Sequence, residues 1–285
     1  MQLEFAKMHG LGNDFMVIDL VTQSCDLTPE LVRAWSDRTT GVGFDQLLAL
    51  EPPTDPEADF RYRIYNASGA EVEQCGNGAR CAALFAARHR LSPKPRLLLQ
   101  TLAGPITTFL CGDDMVEVDM GAPRLDPAQV PFDPTADDGS LALAGEAPHW
   151  RLTLHGQTFE FTALSMGNPH AVLFVDSAAD AQVAEIGRAL VAHPIFPEGA
   201  NIGFCQVVDN GFLRLRVFER GVGETRACGT GACAAAVAAQ LRGLAGSKVK
   251  VSLPGGKVRI SWQGQGSTVR MRGPAVLVFE GRIEL

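Results

Sequence analysis

The chain has no apolar run long enough to cross a bilayer. Its most apolar helical stretch, Ala232 to Ala239, falls far short of the ~20 residues that a spanning helix needs. The opening segment, MQLEFAKMHGLGNDFMVIDL, carries acidic and polar residues early and has no uninterrupted apolar core, so it does not read as a signal peptide. A basic excess is also missing. The formal net charge is −7, which argues against a general nucleic-acid binder with its basic footprint. No G-K-[ST] phosphate loop, no H-E-x-x-H and no C-x-x-C occurs. These absences exclude the usual signatures of a nucleotide-binding P-loop, a zinc protease, a zinc half-site and a thiol redox motif.

What is present begins with cysteine. Seven cysteines, an odd number with no export signal, favour free thiols in a reducing cytoplasm. One of them, Cys75 in EQCGNGARCAA, directly precedes a Gly-x-Gly and an alanine-rich segment. The chain repeats this arrangement at ETRACGTGACAAA, residues 224–236. Laying Cys75 on Cys228 puts Glu71 over Glu224, Gly76 over Gly229, Gly78 over Gly231 and Ala79 over Ala232. Upstream at the same offset, RYRIYN falls on RLRVFE. GLGNDF around Asn13 recurs loosely as SMGNPH around Asn168, GVGFDQ as NIGFCQ, and VDMGAP as MRGPA. Matches in this consistent order indicate a duplication.

The reading that follows is an α+β protein of two similar domains, residues 1–125 and 126–285, with the final strand able to pack back on the first. The join falls at the Pro- and Asp-rich stretch 126–139, which reads as a loop. VEVDM, RLTLH, FEFTAL, VKVSL and KVRISW alternate or are rich in β-branched residues, as strands do. ACAAAVAAQL is apolar on nearly every side, so it reads as a buried helix with strands close around it. A curved, mainly antiparallel sheet about a central helix in each half fits both patterns. AADAQVAEIGRALVAH reads as a second, outer helix.

The repeat also sorts the thiols. Cys81 aligns with Ala234 and Cys233 with Arg80, so only Cys75 and Cys228 correspond. Cys81 and Cys233 are then small hydrophobes in buried helices, and Cys25, Cys111 and Cys205 take the same reading. Gly229–Ala234 matches G-x-G-x-x-A, but no acidic residue lies between Glu224 and Glu280 to hold a ribose. Dinucleotide binding is excluded. A cysteine at a helix start has another use. The positive helix end binds a carboxylate and favours a thiolate. Two such ends facing each other across an interdomain cleft could flank one α-carbon and invert it. Asn13, Asn66, Asn168 and Asn201 read singly as turn residues and His170 as a turn histidine. Glu219–Arg220 suits a substrate with an ammonium and a carboxylate, or a solvated ion pair.

Together KMHGLGNDF, GFDQ, EVEQCGNGARC, GNPHAV and FERGVGETRACGTGACA resemble the diaminopimelate epimerase family along the whole chain. The resemblance implies cofactor-independent interconversion of LL- and meso-diaminopimelate in the cytoplasm by a homodimer, with no metal. It implies Cys75 and Cys228 as the two bases, and Gly76, Asn77, Gly229 and Thr230 as donors to the reacting carboxylate. Asn13, Gln46, Asn66, Asn168, Asn201, Glu219 and Arg220 become substrate contacts, and His170 and Glu219 tune the thiols. One departure is Ser68, where the family commonly has Asp; it touches neither base. Two rivals stand beside this reading: a proline- or hydroxyproline-type racemase, which tends to carry His in place of Asn77, and a non-catalytic thiol protein that senses oxidation.

Overall fold

The computed structural model describes residues 2–73, 75–136, 139–145, 148–154 and 156–284. The loop read from sequence at 126–139 therefore includes two positions, 137 and 138, outside the described residues. Contacts divide the chain into two units, Met1–Asp119 with Arg272–Leu285, and Met120–Met271. Among the described residues no helix is long and apolar enough to cross a membrane.

Unit one runs β1 (Gln2–Gly10), β2 (Asn13–Asp19), α1 (Pro29–Ser36), β3 (Gln46–Glu51), β4 (Phe60–Asn66), α2 (Gly76–Arg88), β5 (Arg96–Thr101), β6 (Gly104–Leu110) and β7 (Met115–Asp119). Unit two follows with β8 (Leu141–Leu143), β9 (His149–Leu154), β10 (Gln157–Ser165), β11 (Pro169–Phe174), α3 (Val183–Val191), β12 (Asn201–Asp209), β13 (Phe212–Glu219) and β14 (Gly223–Thr225). It ends with α4 (Gly229–Leu241), β15 (Lys248–Leu253) and β16 (Gly256–Ser261). The chain re-enters unit one within β17 (Arg270–Pro274), and β18 (Val276–Glu284) lies antiparallel to β1.

The duplication is explicit in the pairing. In unit one β2 runs parallel to β3, β3 antiparallel to β4, β4 parallel to β5 and β5 antiparallel to β6. Unit two repeats this sequence of senses with β11, β12, β13, β15 and β16. Each curved, mainly antiparallel sheet encloses its helix. The α2 helix packs on β1, β2, β3, β6 and β7, and α4 on β10, β11, β12, β13, β15 and β16. Alternation explains the strands: Tyr62 and Ile64 of β4, like Leu215 and Val217 of β13, are buried while their arginine neighbours are not. Those arginines form a matched pair. Arg63 grips Glu71 through two hydrogen bonds of 2.9 and 2.8 Å, and Arg216 grips Glu224 through two of 2.7 and 3.0 Å.

One repeat match shifts. GVGFDQ against NIGFCQ sets Gln46 on Gln206, but Gln46 heads β3 beside Phe15 of β2, and Asn201 heads β12 beside His170 of β11. Asn201 is therefore the counterpart of Gln46. The shared letters sit five residues out of register, because strand start rather than letter identity sets the pairing. Among the remaining thiols, Cys81 and Cys233 are buried in α2 and α4 as expected, Cys205 is buried but in strand β12, and Cys25 and Cys111 are only half-buried and lie outside the helices. Helix α1 adds an element beyond the sequence reading. Its start is marked by Thr28, whose hydroxyl accepts from the Leu31 N–H, and by Pro29 in the first turn.

Candidate active site

Each cysteine of the pair is the residue before the first turn of its unit's central helix. Cys75 has extended backbone (φ −145°, ψ 105°), and its sulfur accepts from the Gly78 N–H at 3.3 Å. A thiol in an N-cap position takes up one of the four backbone donors that a helix start leaves unpaired. Gly78 is glycine for a packing reason. A Cβ there would sit 2.3 Å from the hydroxyl of buried Tyr62, which itself donates to the Cys75 carbonyl at 3.5 Å.

Around Cys75 the neighbours are amides. The thiol donates towards Asn13 Oδ1 at 4.0 Å, and Asn77 Nδ2 donates to the same oxygen at 3.4 Å. Asn13 gives its own Nδ2 to Asp45 Oδ2 at 3.0 Å. Asp45 and Asp14 are held together by Arg38, and Lys7 closes on Asp14 from the other side. Burial raises the Asp14 pKa, but Arg38 and Lys7 outweigh it and bring it down to about 2. Where the start of β3 meets the end of β4, Gln46 Nε2 donates to Asn66 Oδ1 at 2.9 Å. Among the described residues the buried Gln46 Oε1 has no hydrogen-bond partner.

Cys228 has the same backbone (φ −122°, ψ 108°) in different surroundings. It is 4% exposed, and its thiol donates to Glu219 Oε2 at 3.2 Å, with Thr230 Oγ1 at 3.6 Å. Thr225 donates to the other oxygen of the Glu219 carboxylate and so fixes its orientation. Burial first, then the Glu219 charge, pushes the Cys228 thiol well above its ordinary pKa, against weaker opposition from Thr230 and the Gly231 N–H. Cys228 is therefore a thiol at neutral pH.

His170 is buried and pairs with Asn168 through Nε2 at 3.0 Å. Burial and then the Arg220 charge lower its pKa to about 3, so the imidazole is neutral. The side chains hydrogen-bonded with Cys228 are Glu219 and Thr230, whereas His170 pairs with Asn168. Asn201 Oδ1 accepts from the Arg220 N–H at 3.0 Å, and the exposed Arg220 side chain donates to the Glu198 carbonyl at 2.6 Å. Ser68 is exposed, and its carbonyl accepts from Arg33. Within unit one the structure thus gathers Asn13, Asn77 and Cys75, and separately Gln46 with Asn66. Within unit two it gathers Glu219, Cys228 and Thr230, then His170 with Asn168, and Asn201 with Arg220.

Sequence reasoning gives no role to Asp45, Asp14, Arg38, Thr225 or Tyr62. The available signals are adjacency in quoted motifs, Asp45 beside Gln46 in GFDQ and Asp14 beside Asn13 in KMHGLGNDF. Among the described residues, no group of three or more His, Cys, Asp or Glu is arranged to hold a metal ion.

The duplicated sheet-and-helix fold is one that solved structures share. A hydroxyproline epimerase from Agrobacterium vitis superposes with a TM-score of 0.68 at 16% identity, covering 99% of this chain and 92% of that one. A PhzF-family phenazine biosynthesis protein from Bacillus anthracis gives 0.67 at 16%, with both chains fully covered. At such identity these neighbours share the fold. The family model described as Diaminopimelate epimerase matches residues 5–125 and 162–278. Curated diaminopimelate epimerases from Ectopseudomonas mendocina and Pseudomonas aeruginosa are 54% and 53% identical, with both chains covered in full. The chain belongs to the diaminopimelate epimerase family.

Proposed function

We propose that the protein is a cytoplasmic diaminopimelate epimerase, an isomerase that interconverts LL- and meso-diaminopimelate at one α-carbon without a cofactor. The observation that carries this reading is full-length identity above one half with curated diaminopimelate epimerases, joined to a cysteine heading the central helix of each unit. The reaction requires one thiolate and one thiol at the same carbon. One sulfur takes the α-proton as the other delivers its own to the opposite face, so the total number of bound protons is unchanged. The Cys228–Glu219 hydrogen bond supports a resting state in which Cys228 holds the proton and Cys75 is the base. The pair titrates as a coupled unit and exchanges roles with substrate stereochemistry.

An α-hydrogen is a very weak acid, so charge developing on the substrate carboxylate must meet fixed donors. The first-turn N–H groups at Gly76 and Asn77, and at Gly229 and Thr230, are suited to this, each well-aimed donor being worth about 3 kcal/mol. Asn13, Asn66, Asn168, Asn201, Gln46, Glu219 and Arg220 bind the amino and carboxylate groups away from the reacting carbon. The unpaired Gln46 Oε1 suits an ammonium, and the Arg220 guanidinium a carboxylate. His170 acts as a neutral hydrogen-bonding group that orients Asn168, while Glu219 tunes Cys228. The protein works as a homodimer on this small-molecule substrate.

The test is incubation with LL-diaminopimelate in D₂O without added cofactor. The expected product carries deuterium at the single inverted carbon, and Cys75→Ala and Cys228→Ala each abolish epimerisation. Near-full activity in either variant overturns the two-base reading. Turnover of proline in place of diaminopimelate assigns the chain to the racemase chemistry instead.

A further inference from the structure

Arg80 is the largest fully buried side chain among the described residues, with none of its surface exposed. It lies in the middle of α2, where the other copy has the small Cys233. Burying a guanidinium costs several kcal/mol unless its donors are used. Here one of them is used on the site. One terminal nitrogen donates to Asn77 Oδ1 at 3.0 Å and Nε donates to the Pro274 carbonyl at 3.2 Å. A Cβ at Gly10 would meet the same terminal nitrogen at 3.0 Å, so the guanidinium lies directly against the β1–β2 turn that carries Asn13.

A guanidinium only donates and a carboxylate only accepts. Arg80 therefore takes the oxygen of Asn77 and turns that amide's nitrogen to Asn13 Oδ1. At the far end Asp45 takes the nitrogen of Asn13 and leaves Asn13 Oδ1 for Asn77 and the Cys75 thiol. Every hydrogen bond from Arg80 through Asn77 and Asn13 to Asp45 runs in one direction, because each end admits only one polarity. We propose that Arg80 is a positioning residue for the reaction at Cys75. Through Asn77 it fixes which way the amides beside the sulfur point and ties the Asn13 turn to the helix start. This rests on the epimerase reading given above. Arg80 touches no substrate, so its loss misplaces reacting groups rather than removing a binding contact, and the effect falls on kcat.

The test uses the full-length protein with Arg80→Met, Arg80→Lys, Asn77→Asp and the Arg80→Met/Asn77→Asp double variant. Arg80→Met is expected to lower kcat for diaminopimelate at least tenfold with KM moving less than threefold. Arg80→Lys, which again only donates, is expected to restore kcat to within about threefold of wild type. A purely structural role leaves folded Arg80→Met with wild-type kcat, and that result overturns the proposal. Asn77→Asp keeps the acceptor for Arg80 but removes the donor to Asn13. It is expected to lose activity by itself, and the double variant to be no worse than the poorer single one. Additive losses, or an Asn77→Asp variant with wild-type kcat, also overturn the proposal, and the latter decides the matter if Arg80→Met does not fold. Wild-type protein in the same assay tests the epimerase reading separately. Should wild type fail to turn over diaminopimelate, the iodoacetamide labelling rate of Cys75, followed by peptide mass, still decides. At neutral pH it is expected to fall at least threefold in Arg80→Met and recover in Arg80→Lys, and an unchanged rate overturns the role of Arg80.

Discussion

Gly78→Ala and Gly231→Ala make the same change at the third residue of α2 and α4, against different neighbours. Alanine in a helix is favoured over glycine by up to about 1 kcal/mol. At Gly231 the new Cβ meets Val217 at 3.1 Å and the Cβ and sulfur of Cys228 at 3.2 Å. Movement of a few tenths of an ångström relieves those contacts, and the steric cost roughly cancels the helical gain. At Gly78 the Cβ meets the Tyr62 hydroxyl at 2.3 Å and two Leu48 methyls at 3.1 and 3.3 Å. Tyr62 is 2% exposed and cannot swing into solvent. Overpacking of this kind costs about 1–3 kcal/mol. The net expectation is a loss of about 1–2 kcal/mol for Gly78→Ala and nearly none for Gly231→Ala.

Thermal unfolding measures the difference, at roughly 2–4 °C per kcal/mol for a domain of this size. Activity should fall in both variants, because Tyr62 pushes on the Cys75 carbonyl in one and the new methyl crowds the Cys228 sulfur in the other. Removing the clashing atom provides the control. Gly78→Ala in a Tyr62→Phe background should recover most of the lost stability. Equal Tm values for the two single alanine variants, or no recovery in the Tyr62→Phe background, would refute the packing argument.

Replacing Glu219 by Gln removes the charge that, after burial, holds the Cys228 thiol up. Its pKa should fall, and labelling of Cys228 by iodoacetamide at neutral pH should become at least several-fold faster; an unchanged rate contradicts the assignment. Asp14 titrates below its unfolded value, so its contribution is present above pH 3.8 and is lost as pH falls towards 2. Asp14→Asn should flatten the acid limb of stability in that window by roughly 1 kcal/mol after solvent screening, measured by urea unfolding across pH. Arg90 ends α2 in the left-handed region (φ 56°) where Gly243 ends α4 (φ 69°). Arg90→Gly should therefore stabilise by about 0.5–1 kcal/mol, seen as a higher Tm.

The features legible in sequence are those that repeat or have a period. Alternation in RYRIYN and RLRVFE marks two strands, and the Ala-rich run after Gly229 marks a helix enclosed on all sides, with Gly231 to Ala239 buried. The offset that pairs Cys75 with Cys228 also pairs Arg63–Glu71 with Arg216–Glu224, a contact that the aligned glutamates foreshadow. Other features have no such signal. Helix α1 is amphipathic but only eight residues long, shorter than the window over which a helical period stands out. The carboxylate cluster of Asp14 and Asp45 is assembled from β2 and the segment before β3. Only parallel pairing of those strands brings it together. Thr225 lies six residues from the Glu219 it holds, and the short β13–β14 return closes that distance.

The two copies keep one scaffold and differ in charge, and the difference falls on the thiols. At the last residue of the strand before the cysteine, unit one has neutral Asn66 and unit two has Glu219. Inside the helix, unit one has the Arg80 cation where unit two has neutral Cys233. A carboxylate beside Cys228 favours its protonated form, and unit one has no such charge at the matching strand end. A perfectly symmetrical duplication would give the two sulfurs equal proton affinity, and an enzyme with both protonated or both ionised cannot start the proposed reaction. The exchange Asn66/Glu219 breaks that symmetry at Cys228. Removing the charge, with Glu219→Asn, should then bring the labelling rates of Cys75 and Cys228 towards each other. Rates that stay as far apart as in wild type would show that burial alone sets the asymmetry.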